Sequence, residues 1–239
     1  MRGKTMSITE NILTANGFSE EVSKEFKKYY ELLIEWNEKI NLTAITEERE
    51  AALKHFVDSV HALDCDLFFE GAKIIDVGTG AGFPGLPLKI FRPDLKVTLM
   101  DSLNKRINFL NEVIGELNLL DIETIHSRAE ELGRDKNHRE KYDICVSRAV
   151  ANLASLTELC MPFIKKGGYF ISLKGPKAKE EVIEAQKAIK LLGGEFVEIK
   201  NYAIDETDLD HNLVIIKKVN ETEKRFPRNA PKPIKDPIK

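Results

Sequence analysis

The chain has 239 residues, 42% apolar and 31% charged, with a net charge of −3. That balance excludes a wholly disordered or fibrous protein, and the length suits one α/β domain with a helical extension better than two equal domains. No apolar run approaches the ~18 residues needed to cross a bilayer, and the first ten residues lack the apolar centre of a secretory signal, so a cytoplasmic protein away from membranes is expected.

Residues 1–5 fit a non-native leader as well as a native start, since Met6 precedes Ser7 and Glu10 at capping-box spacing. Phe26, Tyr30, Leu33, Trp36 and Ile40 then recur at three- and four-residue steps, the stripe of an amphipathic helix. A second helix is expected from a cap at Thr46, with Leu53, Phe56, Val57, Val60 and Leu63 on its apolar face. From Lys73 the pattern becomes short β-rich runs separated by helical ones. Strands are expected at 74–77, 97–100, 122–126, 142–146 and 169–173, with an antiparallel pair at 196–199 and 213–219 closing the sheet. Helical runs are expected at 86–91, 103–119, 153–164 and 180–192. The expected division is a helical cap at 1–70, a sheet domain at 71–220 and a tail at 221–239. From Lys217 to Lys239 there are eight Lys or Arg against three Asp or Glu, a local balance of about +5. Pro227, Pro231, Pro233 and Pro237 predict that this end is extended, without helix, and its charge makes it a candidate anion-binding arm. Cys65, Cys145 and Cys160 lie far apart in apolar stretches and predict core thiols, and no metal ligand set is expected.

The strongest local signal is Asp76-Val77-Gly78-Thr79-Gly80-Ala81-Gly82-Phe83-Pro84-Gly85, directly after the first apolar strand and before a helix. Glycines allow φ > 0 and leave no Cβ between backbone and ligand, so this is a place for a nucleotide cofactor. A pyrophosphate would gain nothing from Asp76, whereas the cationic ammonium of S-adenosylmethionine would be neutralised by it. Asp101, 25 positions on, ends the second strand, where a carboxylate accepts ribose hydroxyls. Gly80, Gly82 and Gly85 also satisfy the dinucleotide pattern, so a nicotinamide-dependent oxidoreductase is the rival enzyme.

Elimination narrows the chemistry. The run after the fourth strand is Val146-Ser147-Arg148-Ala149, with no Asn/Asp-Pro-Pro-aromatic turn to hold an exocyclic amine. Cys145 falls inside the strand, where burial raises a thiol pKa and disfavours a thiolate nucleophile. An acceptor such as guanine N7 carries an exposed lone pair and needs no general base, only alignment.

Trp36-Asn37 with Asn41-Leu42-Thr43, His55 with Asp58-Ser59, the stretch 76–88, Asp101-Ser102-Leu103 with Lys105-Arg106, Ser147-Arg148-Ala149 and Leu173-Lys174-Gly175 together resemble one family. It is the bacterial 16S ribosomal RNA guanine-N7 methyltransferases, once called glucose-inhibited division protein B. The resemblance implies a Rossmann-like class I methyltransferase: a mostly parallel seven-stranded sheet with helices on both faces and an N-terminal helical extension. It implies S-adenosylmethionine as donor and 16S rRNA as partner, within the small subunit or an assembly intermediate, with no obligate protein partner. It also implies that Gly78, Phe83, Ala129, Glu130 and Arg148 line the donor site, with Asp101 near the ribose.

The full expected donor site is therefore Asp76, Gly78, Gly80, Gly82, Phe83, Asp101, Ala129, Glu130 and Arg148. Arg148 and Lys174, leaving neighbouring strands, are expected to position the target. His55 and Asp58 divide evenly between a structural role, as a surface pair or in fixing the helical cap on the sheet domain, and a place beside the guanine, and Trp36 is expected in the core. A non-catalytic ribosome-assembly factor with a vestigial donor pocket is the rival outside the enzymes.

Overall fold

In the computed structural model, which describes residues 6–204 and 210–239, Ser7 and Glu10 close the expected capping box. Ser7 Oγ accepts from the Glu10 N–H, and the Glu10 carboxylate accepts from the Ser7 N–H, starting α1 (Ile8–Ala15). The proposed leader, residues 1–5, lies outside the described residues. In α2 (Glu20–Ile40), capped by Ser19, the fully buried line is Phe26, Tyr29 and Leu33. Tyr30, Trp36 and Ile40 are only partly buried and flank it, so the stripe is rotated by one position from the expected one. Tyr29 fixes that rotation, because its hydroxyl donates to the carbonyl of Ala81 in the glycine loop.

The second helical segment begins one residue later than expected. Glu47 caps α3 (Glu48–Ala51) by accepting from the Glu50 N–H, while the Thr46 carbonyl accepts from Tyr30. It continues through a π-helical stretch (Ala52–Val57) into α4 (Asp58–Val60) and a 3₁₀ turn (His61–Cys65). A wide π turn adds a residue per turn and re-aims side chains, a feature often found at functional sites. It lets the main-chain carbonyl of His55 and the carboxylate of Asp58 reach one partner, Arg148.

The remaining elements alternate as expected. They are β1 (Lys73–Val77), α5 (Gly85–Phe91), β2 (Lys96–Asp101), α6 (Asn104–Glu116), β3 (Ile122–His126), α7 (Ala129–Leu132), β4 (Tyr142–Arg148), α8 (Leu153–Cys160), β5 (Ile164–Lys174), α9 (Ala178–Leu191), β6 (Gly194–Tyr202) and β7 (His211–Lys218). The sheet order is β3-β2-β1-β4-β5-β7-β6. All pairs from β3 to β5 are parallel, and β7 pairs antiparallel with both β5 and β6. The helical run expected at 153–164 stops at Cys160, followed by a 3₁₀ turn containing Pro162, which has no N–H to continue the ladder.

Alternation along the strands gives two cores. Ile74, Leu99, Ile144 and Val146 face α2, α5 and α6, whereas Ile75, Val77, Cys145 and Phe170 face α8 and α9. Leu13, Phe26, Tyr29 and Leu33 of the first two helices belong to the first core, so the N-terminal layer packs directly on that face. Cys145 and Cys160 are buried thiols, and burial pushes the Cys145 thiol well up.

The extended, helix-free tail is corrected by the structure. Thr222, Phe226 and Pro233 are buried, and a short α10 (Lys232–Lys235) follows Pro231. Pro233 falls in its first turn, where a missing N–H costs no intrahelical bond. Arg139 donates to the carbonyls of Thr222 and Phe226, Arg134 to that of Pro227, and Arg228 binds Glu158 of α8 in a fork. Glu158 is fully buried, and a buried carboxylate demands such a partner. The basic charge of this end is thus partly spent holding the tail to the domain.

Candidate active site

Parallel strands present their carboxyl ends to one crevice, and the strand order reverses beside β1. There the glycine loop crosses β2, with the N–H groups of Gly78 and Thr79 donating to the Met100 carbonyl. The glycines serve different purposes. A Cβ on Gly78 would stand 2.7 Å from Val150 Cγ2, so its absence lets the segment after β4 approach. At Gly80, with φ +62°, a Cβ would meet nothing within 4 Å, which places the bare backbone against open space. Gly82, with φ +104°, faces away from the crevice: a Cβ there would lie 2.6 Å from the Tyr29 hydroxyl. Gly85 lets α5 pack on β2, since its Cβ would lie 2.6 Å from Leu99 Cδ2.

The charge argument for Asp76 is corrected by its position. The side chain is fully buried behind the loop and does not line the crevice. Its Oδ2 accepts from Thr79 Oγ1 at 2.7 Å and from the Gly85 N–H at 2.8 Å, while Oδ1 has no partner. Burial pushes its pKa up to about 6 against the lowering effect of those two bonds. Asp76 shapes the loop rather than facing a ligand.

The crevice is a cavity of about 590 Å³ at the ends of β1 to β4, within the range that holds a nucleoside-sized ligand. Gly78, Gly80, Phe83, Asp101, Ala129, Glu130 and Arg148 all line it. Asp101 accepts from the N–H groups of Gly80 and Leu103 and from Arg106, leaving one acceptor site, on Oδ1, for a ligand hydroxyl. Phe83 is stacked on His55 at 4.4 Å, with the Arg148 guanidinium 4.9 Å from its ring centre.

A second cavity, of about 530 Å³, opens at the ends of β4 and β5 and shares Asp58, Arg148, Ala149 and Val150 with the first. Arg148 stands at the partition. Its Nη1 donates to the carbonyls of Lys54 and His55 and to Asp58 Oδ2 at 2.5 Å. Asp58 also accepts from Tyr202 at 2.6 Å and contacts His211 Nδ1 at 2.8 Å. Burial alone would raise Asp58, but His211, the Arg148 charge and Tyr202 outweigh it and hold the carboxyl at about 2. His55 is pushed down to about 3 by burial and by Arg148, so its ring is neutral at physiological pH.

Of the structural alternatives for His55 and Asp58, the surface pair is corrected, because Asp58 is buried at a junction of four elements, and the contacts with Arg148, Tyr202 and His211 instead join the helical layer to the sheet. Lys174 lines only the second cavity and is tied to the Ala151 carbonyl and to Glu181 at 2.8 Å. Glu181 also accepts from the Leu153 N–H, so the pair fixes the segment after β4. Trp36 packs against Phe109, as expected of a core residue. Tyr202 and His211 were not found from sequence, because they end antiparallel strands 144 and 153 positions from Asp58 and carry no local motif. Among the described residues, no group of three or more His, Cys, Asp or Glu is arranged to hold a metal ion, and no helix is long and apolar enough to cross a membrane.

A seven-stranded sheet with β7 inserted antiparallel, a glycine loop after β1 and a carboxylate ending β2 define the Rossmann-like methyltransferase class. A SAM-dependent methyltransferase from Aquifex aeolicus superposes with a TM-score of 0.54 at 20% identity, over 71% of this chain and 93% of that one. M. jannaschii TYW2, solved in complex with AdoMet, gives 0.52 at 16% identity over 68% and 77%. Those identities speak for fold alone. The family GidB, rRNA small subunit methyltransferase G, matches residues 22–209, and ribosomal RNA small subunit methyltransferase G of Clostridium botulinum (strain Loch Maree / Type A3) is 54% identical over 93% of each chain. The chain belongs to the GidB family of small-subunit rRNA methyltransferases, which sets aside the oxidoreductase reading.

Proposed function

We propose that this protein transfers a methyl group from S-adenosylmethionine to N7 of a guanine in 16S rRNA, acting in the cytoplasm on the small subunit or an assembly intermediate. The observation that carries this reading is the pair of cavities meeting at Arg148: one beside the glycine loop for the donor, the other for the acceptor nucleoside.

The residues present fit the donor. Gly80 leaves its backbone bare to the crevice, Asp101 offers a carboxylate that would accept a ribose hydroxyl, and Ala129 and Glu130 line the part of the crevice that would take the nucleoside. When bound, S-adenosylmethionine supplies an electrophilic methyl group on a cationic sulfur. The protein's contribution is then positioning, which can lower a barrier by about 7–11 kcal/mol at best. Phe83, in contact with both the His55 ring and the Arg148 guanidinium, forms a wall of the first cavity, and Arg148 stands between the two cavities. Asp58 stays ionised and offsets the Arg148 charge, so the partition does not repel a cationic donor or a purinium product. His55 stays neutral for the same benefit. No general base is required, because N7 presents its lone pair without losing a proton.

Purified protein, donor and 16S rRNA or small subunits, followed by borohydride and aniline, should give donor-dependent strand scission at a guanine. Absence of scission on every ribosomal substrate would overturn the reading. Binding to subunits without transfer would favour a non-catalytic assembly factor.

A further inference from the structure

We infer that the C-terminal tail is a structural part of the donor site, with Ile234 as a donor-binding residue that closes the nucleoside end of the cavity. The inference rests on reading the first cavity as the donor site.

Ile234 sits on α10 and lines the cavity together with Ala129, Glu130 and Leu159. Its position is fixed from two sides. α10 packs on α8, where Ser155, fully buried, donates from Oγ to the Pro233 carbonyl at 2.8 Å. Upstream, Arg228 grips Glu158 with bonds of 2.7–3.0 Å through both its guanidinium and its backbone N–H. Asn229, Ala230 and Pro231 then run past Arg128 and Glu130 at the start of α7, the turn that borders the nucleoside end. The tail thus crosses directly from its buried anchor to the cavity rim.

Ile234 is nevertheless 46% exposed, an unusual state for a large apolar side chain at the end of so well-anchored a segment. Its neighbours Lys232, Lys235 and Asp236 are exposed and polar. A ligand in the cavity would cover the apolar surface that the protein leaves open, and an adenine ring is flat and apolar enough to do so. The tail therefore contributes to donor affinity through contact, independently of any phosphate contact by its lysines.

The test is isothermal titration of S-adenosylmethionine and S-adenosylhomocysteine into wild type, Ile234→Ala, Ile234→Val and a chain ending at Asn229, which keeps the Arg228 anchor. Ile234→Ala should weaken both ligands about fivefold, with Ile234→Val close to wild type and the truncation at least as weak as the alanine variant. Because Ile234 is half exposed, the alanine variant should melt with the wild type in the absence of ligand, separating contact from folding. Wild-type affinity in both Ile234→Ala and the truncation would overturn the inference while leaving the methyltransferase reading intact. Failure of the wild type to bind either ligand would overturn both.

Discussion

Two glycines two positions apart in the loop do opposite jobs. Both have positive φ, so alanine at either costs about 1 kcal/mol of backbone strain. At Gly80 that is the whole structural cost, because the new methyl meets only the open crevice, the cavity proposed for the donor. At Gly82 the methyl collides with the Tyr29 hydroxyl at 2.6 Å and with Leu110 and Leu86 at 3.0 Å. It would push α2 off the loop and break the Tyr29–Ala81 bond. Gly80→Ala should therefore lose donor affinity, tenfold or more (about 1.4 kcal/mol), with a small drop in stability. Gly82→Ala should lose roughly 2 kcal/mol or more of stability with a smaller change in affinity per folded molecule. Chemical denaturation and donor titration on both variants check the split, and a reversed order would refute the assignment of the two faces.

At the scale of elements, the tail anchor is a buried ion pair whose value lies in being complete. Removing one partner leaves an uncompensated charge, which costs about 3–5 kcal/mol, whereas removing both is far milder. Arg228→Ala should destabilise the protein on that order, because Glu158 is fully buried, and Arg228→Ala with Glu158→Leu should recover most of the loss. Urea unfolding of the two variants checks this, and equal instability would show that the tail is held by other contacts. The tail also shows where the sequence stopped being readable. Its prolines and lysines carry a local signal for an extended solvated arm, whereas the forces that dock it come from Arg134, Arg139 and Glu158, 70 to 93 positions away. The strand alternation, the glycine loop and Arg148 were legible because periodicity and motif spacing are local. Asp76 was legible as an acid beside glycines, but which way its carboxylate turned depended on the Thr79 hydroxyl and the Gly85 N–H. Asp58 became readable only with its partners Tyr202 and His211.

Across the whole molecule, three buried groups set an acid profile that no one of them would give alone. His55 is held at about 3 against an ordinary 6.5, so on acidification the unfolded chain takes up that proton first and stability falls between those values. Asp76 is held at about 6 against 3.8, so there the folded chain protonates first and stability rises as pH drops from about 6 to 4. Over that window the two effects oppose, each changing stability by about 1.4 kcal/mol per pH unit at most. Asp58, at about 2 against 3.8, contributes stability that is complete above 3.8 and lost as pH falls through 2. Below about pH 4 it therefore acts with His55 rather than against it. The three groups should together give a nearly flat contribution from pH 6 to 4 and a steep fall beneath. Asp76→Asn keeps an oxygen acceptor for Thr79 and Gly85 while removing the buried charge, so it should be more stable than wild type at pH 7 and converge with it near pH 4. Asp58→Asn should be less stable than wild type at pH 5, by about 2 kcal/mol, with the gap closing as pH approaches 2. Urea midpoints measured at pH 7, 5 and 3 separate these cases, because parallel curves for wild type and both variants would mean that neither carboxyl titrates with folding.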